Sequence, residues 1–243
     1  MTVIAADAAQ VLVEQVLLLC GQVFGTVGTL QVATAAAFAG ATRGRPHRSH
    51  LAPLGDLATG ALRSRDPLVV GAGFVAEPGA LADEAHWLEW WTADASAVSR
   101  LTVESDPEAP GFRDYTVLPW FAVPRRSGRR HVTGPYVDYL CTDEYTLTFT
   151  CPVVVEGRFV GVAGADVFAR TVEIRLGALL DEVREPAAIV NAEGRVVAGN
   201  EGAPVTGELL RELLPLWDGE PGPAGRTRLH RCGDLPFAVA VGI

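Results

Sequence analysis

The sequence contains no lysine. All 20 of its basic residues are arginines, against 29 acidic residues, which gives the 243-residue chain a net charge of −9. Without lysine the chain cannot form a lysine Schiff base, anchor pyridoxal phosphate or build a phosphate-binding P-loop. Codon bias in a GC-rich genome explains the missing lysines. Their absence therefore excludes three classes of enzyme and indicates no function of its own.

Metal-binding and disulfide patterns are also missing. The cysteines show no C-x-x-C spacing, so neither a zinc site nor a disulfide framework is expected. His47 and His50 lie three residues apart, but arginines surround them, and positive charge opposes a metal cation. We expect no metal, no cofactor and free thiols in a reducing compartment at the four cysteines, which are Cys20, Cys141, Cys151 and Cys232.

Nucleic-acid-binding and catalytic motifs are absent as well. The acidic balance argues against a nucleic-acid partner, and the one short basic run, 125–130, lies in a Ser/Gly turn typical of a solvated loop. No G-x-S-x-G, H-E-x-x-H or P-loop motif occurs. A G-x-G-x-x-A pattern at 71–76 is followed by the turn residues Glu77-Pro78-Gly79 rather than by a helix. That context rules out a dinucleotide site.

The first forty residues contain an apolar run that must be either a membrane segment or a buried helix. A secretory signal starts with basic residues, whereas the only charged residues before this run are the acidic Asp7 and Glu14. Glutamines interrupt it and no arginine anchors either end, which argues against a spanning helix. We predict a long N-terminal helix over 1–40 in a soluble, cytoplasmic protein without membrane contact. Its buried face follows three- and four-residue steps: Val13, Val16, Cys20, Val23, Val27, Leu30 and Thr34.

The remaining chain predicts strands in hairpin order with a few helices, a pattern typical of an α+β fold. Glu156-Gly157 is suited to a tight turn between two strands. Pro186 ends a connecting helix over 170–184. Further helices are predicted over 56–66 and 207–214. The predicted strands are 68–75, 100–104, 132–140, 145–155, 158–167, 187–191, 195–198, 227–231 and 237–241.

Aromatic residues are concentrated in the middle third of the chain, together with the carboxylates Asp138 and Asp166. Tyr136 and Asp138 are two residues apart on a predicted strand and therefore share a face. Aromatic rings with one or two carboxylates are suited to holding a cationic amine. The alternative is that the rings fill the core of an antiparallel sheet. The aromatic residues are Trp87, Trp90, Trp91, Tyr115, Trp120, Phe121, Tyr136, Tyr139 and Tyr145.

Asp166 is unusual because it lies in the otherwise apolar run 160–167. Burying a carboxylate is costly unless a cation, a backbone amide or water compensates it. The position therefore favours a ligand-binding role, and a structural hydrogen bond to a turn is the alternative.

Four segments resemble the ligand-binding core of the double-Cache sensors, which are extracellular input modules of bacterial chemoreceptors and kinases. These segments are Leu118–Phe121, Thr133–Asp138, Thr148–Val153 and Phe159–Val167. The resemblance implies a long N-terminal helix packed on two PAS-like antiparallel-sheet modules. It places the helix in 1–40, the distal ligand-binding module in 41–170, and a connecting helix with the smaller second module in 171–243.

The resemblance also implies which residues line the pocket. Trp120, Phe121, Tyr136, Asp138 and Asp166 match pocket positions of the amino-acid-binding subgroup, in which the two acids hold the ligand's ammonium group. That subgroup has an arginine for the ligand carboxylate two residues before the tryptophan. This chain has Leu118 there, which favours an amine without a carboxylate, unless Arg113 replaces the missing guanidinium.

Together these observations predict a cytoplasmic small-molecule sensor, not an enzyme, that recognises a small cationic amine. The alternatives are an amino-acid-binding Cache sensor, or an enzyme that uses carboxylates such as Glu89 or Asp138. A third alternative is a dimerisation module whose pocket has decayed. The N-terminal helix is a candidate homodimer surface, and a regulatory protein is the candidate downstream partner. The predicted ligand-binding residues are Trp90, Tyr115, Trp120, Phe121, Tyr136, Asp138 and Asp166.

Overall fold

The computed structural model describes residues 8–41, 44–94, 97–137, 144–220 and 227–243. Its α-helices are α1 (Ala8–Ala39), α2 (Pro53–Leu62), α3 (Pro119–Ser127), α4 (Ala169–Asp181) and α5 (Leu214–Trp217). Its strands are β1 (Gly71–Ala76), β2 (Leu88–Ala93), β3 (Val98–Arg100), β4 (His131–Val137), β5 (Tyr145–Val155), β6 (Arg158–Phe168), β7 (Ala187–Asn191), β8 (Val196–Gly199), β9 (Arg228–Arg231) and β10 (Phe237–Val241).

Helix α1 buries the face that the sequence pattern predicts. All seven residues of the predicted stripe are buried, from Val13 to Thr34. Thr34 is compatible with this apolar face because its hydroxyl donates to the carbonyl of Leu30 at 2.7 Å, so no polar group is left unsatisfied. Phe24 and Phe38 pack edge-to-face on Phe149 and Phe74, with ring centroids 5.2 and 5.8 Å apart. The prediction of a buried amphipathic helix is confirmed.

By length and composition alone, α1 is also long and apolar enough to cross a membrane, and it is the one helix with this property in the described ranges. Its opposite face exposes two large apolar residues, Leu18 and Val32.

The first sheet has six strands in the order β3-β2-β1-β6-β5-β4. Strand β1 lies between β2 and β6 and pairs antiparallel with both, with Gly71 opposite Asp166 and Gly73 opposite Trp90 and Gly164. All six residues of β1 are buried.

The turn between β5 and β6 is the tight turn that the sequence predicts. Glu156 and Gly157 both have positive φ, 51° and 76°. Positive φ at both central residues is the geometry whose twist matches the flanking strands of a hairpin.

The second sheet has four strands in the order β8-β7-β10-β9. Its core is built from small apolar side chains and leucines, including Ala188, Val190, Val196 and Leu213. The side chain of Asn191 closes the β7–β8 turn, because its carbonyl oxygen accepts from the backbone N–H groups of Glu193 and Arg195.

Three sequence predictions need correction, and one helix was missed. The helix predicted over 207–214 is displaced, because Gly207 has a φ of 88° and the helical segments run over Arg211–Leu213 and α5, with Pro215 in the first turn of α5. The strand predicted over 100–104 is found at Val98–Arg100. The short helix predicted over 56–66 is found at Pro53–Leu62, so it begins and ends earlier than predicted. Helix α3 was not predicted, although Pro119 in its first turn and Gly128 in the left-handed conformation after its end are the expected signals.

The α+β prediction is confirmed: a long N-terminal helix precedes two antiparallel sheets. Two compact units are present. Of the described residues, those within 22–133 and 148–167 form one, and those within 8–21, 134–147 and 168–243 form the other.

Two valines of α1 provide a matched test of this packing. Val27 is fully buried and Val32 is 70% exposed. We expect Val27→Ala to lower the free energy of unfolding by about 1.5–3 kcal/mol, because it removes buried methyl groups and leaves a cavity. Val32→Ala should change it by less than about 0.5 kcal/mol. Urea unfolding followed by circular dichroism measures both, and equal losses would contradict the assigned buried face.

Candidate ligand-binding face of the first sheet

Asp166 is a buried carboxylate in the middle of the first sheet. It is 9% exposed and lies on β6 among residues that are themselves buried. The hydroxyl of Thr148 donates to its Oδ1 at 2.7 Å. This hydrogen bond places Thr148 and Asp166 on the same face of the sheet, which we call the Asp166 face.

Glycines on β1 and β6 make room for Trp90 on this face. A Cβ atom on Gly71 would lie 2.8 Å from Oδ2 of Asp166 and 2.9 Å from Nε1 of Trp90. A Cβ atom on Gly164 would lie 3.1 Å from Cη2 of Trp90 and 3.1 Å from Cγ2 of Thr150. The indole therefore extends over both glycines, with its N–H end near Asp166 and its far edge near Thr150.

The other aromatic residues that are predicted to bind the ligand and belong to the same compact unit lie around Trp90. Trp90, Tyr115 and Phe121 are buried in one apolar cluster, and Trp120 packs against it half-buried. The Tyr115 ring lies nearly parallel to Trp120 with centroids 6.4 Å apart, and edge-to-face to Phe121 at 5.3 Å. These offsets are those that aromatic pairs prefer. The rings thus contact one another, as the core-filling alternative also requires.

Tyr115 is held as a neutral hydrogen-bond donor. Its hydroxyl donates to the carbonyl of Ala76 at 2.8 Å. Burial raises the pKa of this phenol far above its usual range, so the ring carries no charge at physiological pH. Its backbone position is set by the preceding Asp114, whose carboxylate accepts from the N–H of Thr116 at 2.9 Å.

The predicted site residues are thus brought together in part. Trp90, Tyr115, Trp120 and Phe121 form one cluster, and Asp166 lies beside Trp90. Tyr136 is half-buried on β4, and Asp138 lies outside the described residues. The assignment of these residues to a ligand stays a prediction.

The position at which the amino-acid-binding subgroup has an arginine is apolar in its surroundings as well as its identity. Leu118 immediately precedes α3 and packs against the aromatic cluster. Arg113 is exposed, and Arg125 forms an ion pair with Glu77. The exposure of Arg113 and the ion pair of Arg125 therefore give no support for a guanidinium group that replaces the missing arginine at the Leu118 position.

Sequence reasoning missed the threonines of this face. Thr148 and Thr150 are both buried on β5, and the alternation Thr146, Thr148, Thr150 in the sequence could have identified a polar row on one side of a strand. The glycines that accommodate Trp90 were missed too, because their importance depends on which strands become neighbours.

Glu89, the candidate acid for the enzyme alternative, is occupied elsewhere. It is adjacent to Trp90 on β2 and therefore points to the opposite face. It accepts from the indole N–H of Trp87 at 2.7 Å and lies 3.6 Å from Nε of Arg100. The guanidinium of Arg100 also lies over the Trp87 ring, 4.3 Å from its centroid. These contacts make Glu89 part of a structural cluster. Within the described ranges, no group of three or more metal-ligating side chains occurs.

Gly73 tests how closely β1 and β2 approach. A Cβ atom there would lie 2.1 Å from the backbone carbonyl oxygen of Glu89. Gly73→Ala should therefore push the strands apart and destabilise the protein by about 3 kcal/mol. Gly60→Ala is the matched control, because Gly60 lies in α2 facing open space, and alanine there should stabilise by up to about 1 kcal/mol. Thermal unfolding measures both. A neutral Gly73→Ala would contradict the close approach.

Comparison with known proteins gives matches among solved structures. No family model and no curated protein matches the chain. A structure of "Methyl-accepting Chemotaxis protein X" is 18% identical with a TM-score of 0.64, covering 97% of this chain and 94% of that one. The ligand-binding domain of the Pseudomonas aeruginosa PAO1 amino-acid chemoreceptor PctC, in complex with GABA, is 18% identical with a TM-score of 0.59, covering 96% and 95%. The sensory domain of the Campylobacter jejuni chemoreceptor Tlp3 is 12% identical with a TM-score of 0.60, covering 97% and 90%.

The predicted cytoplasmic location was wrong. The matching structures are sensory domains of chemoreceptors and extracellular domains of proteins described as histidine kinases, which points to an extracellular domain. The prediction relied on polar interruptions in the first helix and on unpaired cysteines. Those features describe how the helix packs and whether thiols pair, and neither reports the compartment.

The matches extend over both sheets and α1, because more than 90% of this chain is covered in the three cases described. At 12–18% identity the likeness concerns the fold. It agrees with the family resemblance of the four sequence segments. The chain has the fold of the double-Cache ligand-binding domains of chemoreceptors and histidine kinases.

Proposed function

We propose that this chain is a sensor domain that binds a small molecule through an ammonium group on the Asp166 face. The observation that carries the proposal is the buried carboxylate of Asp166 beside the indole of Trp90. The ligands of three matching structures, GABA, L-valine and L-alanine, all have an ammonium group.

Electrostatics favour a cation at this position. The hydrogen bond from Thr148 comes from a neutral hydroxyl, so this contact itself brings no positive charge to the carboxylate of Asp166. A desolvated carboxylate gains most from a cationic hydrogen-bond donor, because charge-assisted hydrogen bonds are about twice as strong as neutral ones. The face of an aromatic ring adds about 0.5–2 kcal/mol for a cation placed over it.

Among ammonium compounds, we favour an amine without a carboxylate. A ligand carboxylate needs a donor such as a guanidinium, and the Leu118 position is apolar. Arg125 is paired with Glu77 and Arg113 is exposed. The amino acids bound by the matching structures favour the second candidate, an amino-acid sensor.

We further propose that the chain signals by binding and not by catalysis. A ligand that is held more tightly by one arrangement of the strands and α1 shifts the population towards that arrangement. Glu89, the acid weighed for catalysis, is held by Trp87 and Arg100 on the other face.

A ligand screen followed by replacement of the Asp166 carboxylate tests the proposal that an ammonium group binds on the Asp166 face. In a thermal-shift screen of small amines and amino acids, we expect amines to raise the melting temperature of the wild-type chain, because a ligand that binds the folded state stabilises it. Asp166→Asn should weaken binding of the strongest amine by about 10- to 100-fold in calorimetry, since it removes a charge-assisted hydrogen bond while keeping the shape of the side chain.

Asp56→Asn is the matched control, because Asp56 is exposed on α2 and its charge is screened by water. It should bind the same amine as tightly as the wild type. Stabilisation by amino acids and by no amine would favour the second candidate. Equal affinity in Asp166→Asn would exclude the Asp166 face as the site.

A further inference from the structure

A cleft of about 420 Å³, which we call the Arg158 cleft, lies at the C-terminal end of α1 beside the turn between β5 and β6. Its volume is within the range of about 300–1,000 Å³ that small-molecule sites occupy. Much of its wall is apolar and includes Phe38, Pro46, Val155 and Val160. Phe38, Pro46 and Val160 are themselves buried, so the cleft has an apolar floor.

The Arg158 cleft is on the other side of the first sheet from the Asp166 face. Phe159 packs edge-to-face on Phe121 of the aromatic cluster, with ring centroids 5.6 Å apart. Val160 is the next residue along β6, so its side chain points to the opposite side. On that side Phe38 packs on Phe74. A ligand in this cleft would therefore occupy a site separate from the one proposed above.

Three charged side chains also line the cleft, and positive charge is in excess. They are Arg45, Glu156 and Arg158, and all three are exposed. Among the residues that the structure describes, neither arginine has an ion-pair partner, and the Arg158 side chain makes no hydrogen bond. Two guanidinium groups against one carboxylate give the cleft an excess of one positive charge, in a chain whose net charge is −9.

Both arginines are attached to backbone whose position is fixed. Nη1 of Arg45 donates to the carbonyl of Gly79 at 2.7 Å, and the carbonyl of the adjacent Pro46 accepts from the N–H of Ala82 at 2.9 Å. Arg158 is the first residue of β6, directly after the tight turn. A guanidinium has five N–H donors, so Arg45 keeps donors for a ligand. Because its orientation is already set, binding costs less side-chain entropy.

A cationic rim above an apolar floor is suited to an anion that has an apolar chain. A carboxylate accepts two parallel hydrogen bonds from one guanidinium group, and these charge-assisted bonds are stronger than neutral ones. Each CH₂ group that leaves water for the apolar floor raises the affinity by about fourfold. A compact anion such as phosphate gains the first contribution without the second.

We infer that the Arg158 cleft is a second ligand site, which binds a small carboxylic acid in its ionised form. The carboxylate binds Arg158 within the positive field of Arg45, and the alkyl chain lies against Phe38 and Val160. This site goes beyond the proposed amine sensor and does not depend on it, since it shares no residue with the Asp166 face.

Two compounds of equal size separate the roles of charge and shape. Butyrate and butyramide each have six non-hydrogen atoms, and butyramide is neutral. In NMR titrations of the full chain, butyrate should shift the backbone N–H signals of Ala39 and Arg158 and bind about tenfold more tightly than butyramide. Acetate, which is two CH₂ groups shorter, should bind about tenfold more weakly than butyrate. The indole N–H signal of Trp90 should stay in place.

Three variants test which charges act on the ligand. Arg158→Gln should weaken butyrate binding by about three- to tenfold, because it removes the guanidinium. Arg63→Gln is the matched control, since Arg63 is exposed at the end of α2 outside the cleft, and it should leave the affinity unchanged. Glu156→Gln should strengthen butyrate binding by about two- to threefold, because it removes a like charge. A purely structural role would not produce effects of opposite sign.

The effect of Arg158→Gln must come from binding and not from folding. The exposed side chain has no partner among the described residues, so this variant should melt at the wild-type temperature. Equal affinity for butyrate and butyramide, or equal losses in Arg158→Gln and Arg63→Gln, would refute the site. Phosphate that binds as tightly as butyrate at the same ionic strength would refute the role of the apolar floor. A shift of the Trp90 signal without shifts in the cleft would place butyrate on the Asp166 face and overturn the inference.

Discussion

The close approach of β1 to its two neighbours is the constraint on which the candidate site depends. Gly73 leaves no room for a side chain against the backbone of β2, and Gly71 and Gly164 leave space above the sheet that the indole of Trp90 occupies. Because Trp90 lies flat across these positions, its N–H end is near Asp166 and its far edge is near Thr150. Side chains at these glycines would lift the indole and separate the polar groups from the aromatic cluster.

The second determinant is the division of the sheet into two chemically different faces. Phe74 and Phe149 face α1 and make an apolar contact with Phe38 and Phe24. On the other face, Asp166 and the threonines of β5 lie beside the aromatic cluster. Strand alternation produces this division directly, since successive side chains point to opposite sides. One strand can therefore place apolar side chains on one face of the sheet and polar side chains on the other.

Local patterns predicted much of the fold and some of the site. The three- and four-residue steps of α1, the Glu156-Gly157 turn and the strands β5 and β6 follow from periodicity and turn chemistry, which act over a few residues. The unexpected acid in an apolar strand identified Asp166. Helix α3 has a proline in its first turn and a glycine after its end, and these two signals were not recognised in the sequence. The positions of Gly71, Gly73 and Gly164 could not be predicted, because a glycine's role in close packing depends on which strands become neighbours.

The sequence by itself determined which chemistries are absent, which face of α1 is buried and that a carboxylate lies within an apolar strand, because composition and periodicity are properties of the chain. Only the tertiary structure decided that Trp90 lies across the glycines between Asp166 and Thr150, and that Glu89 is held on the opposite face by Trp87 and Arg100. The reason is physical: long-range strand pairing sets the distances between side chains, and the distances determine which charges and hydroxyl groups can act on one ligand.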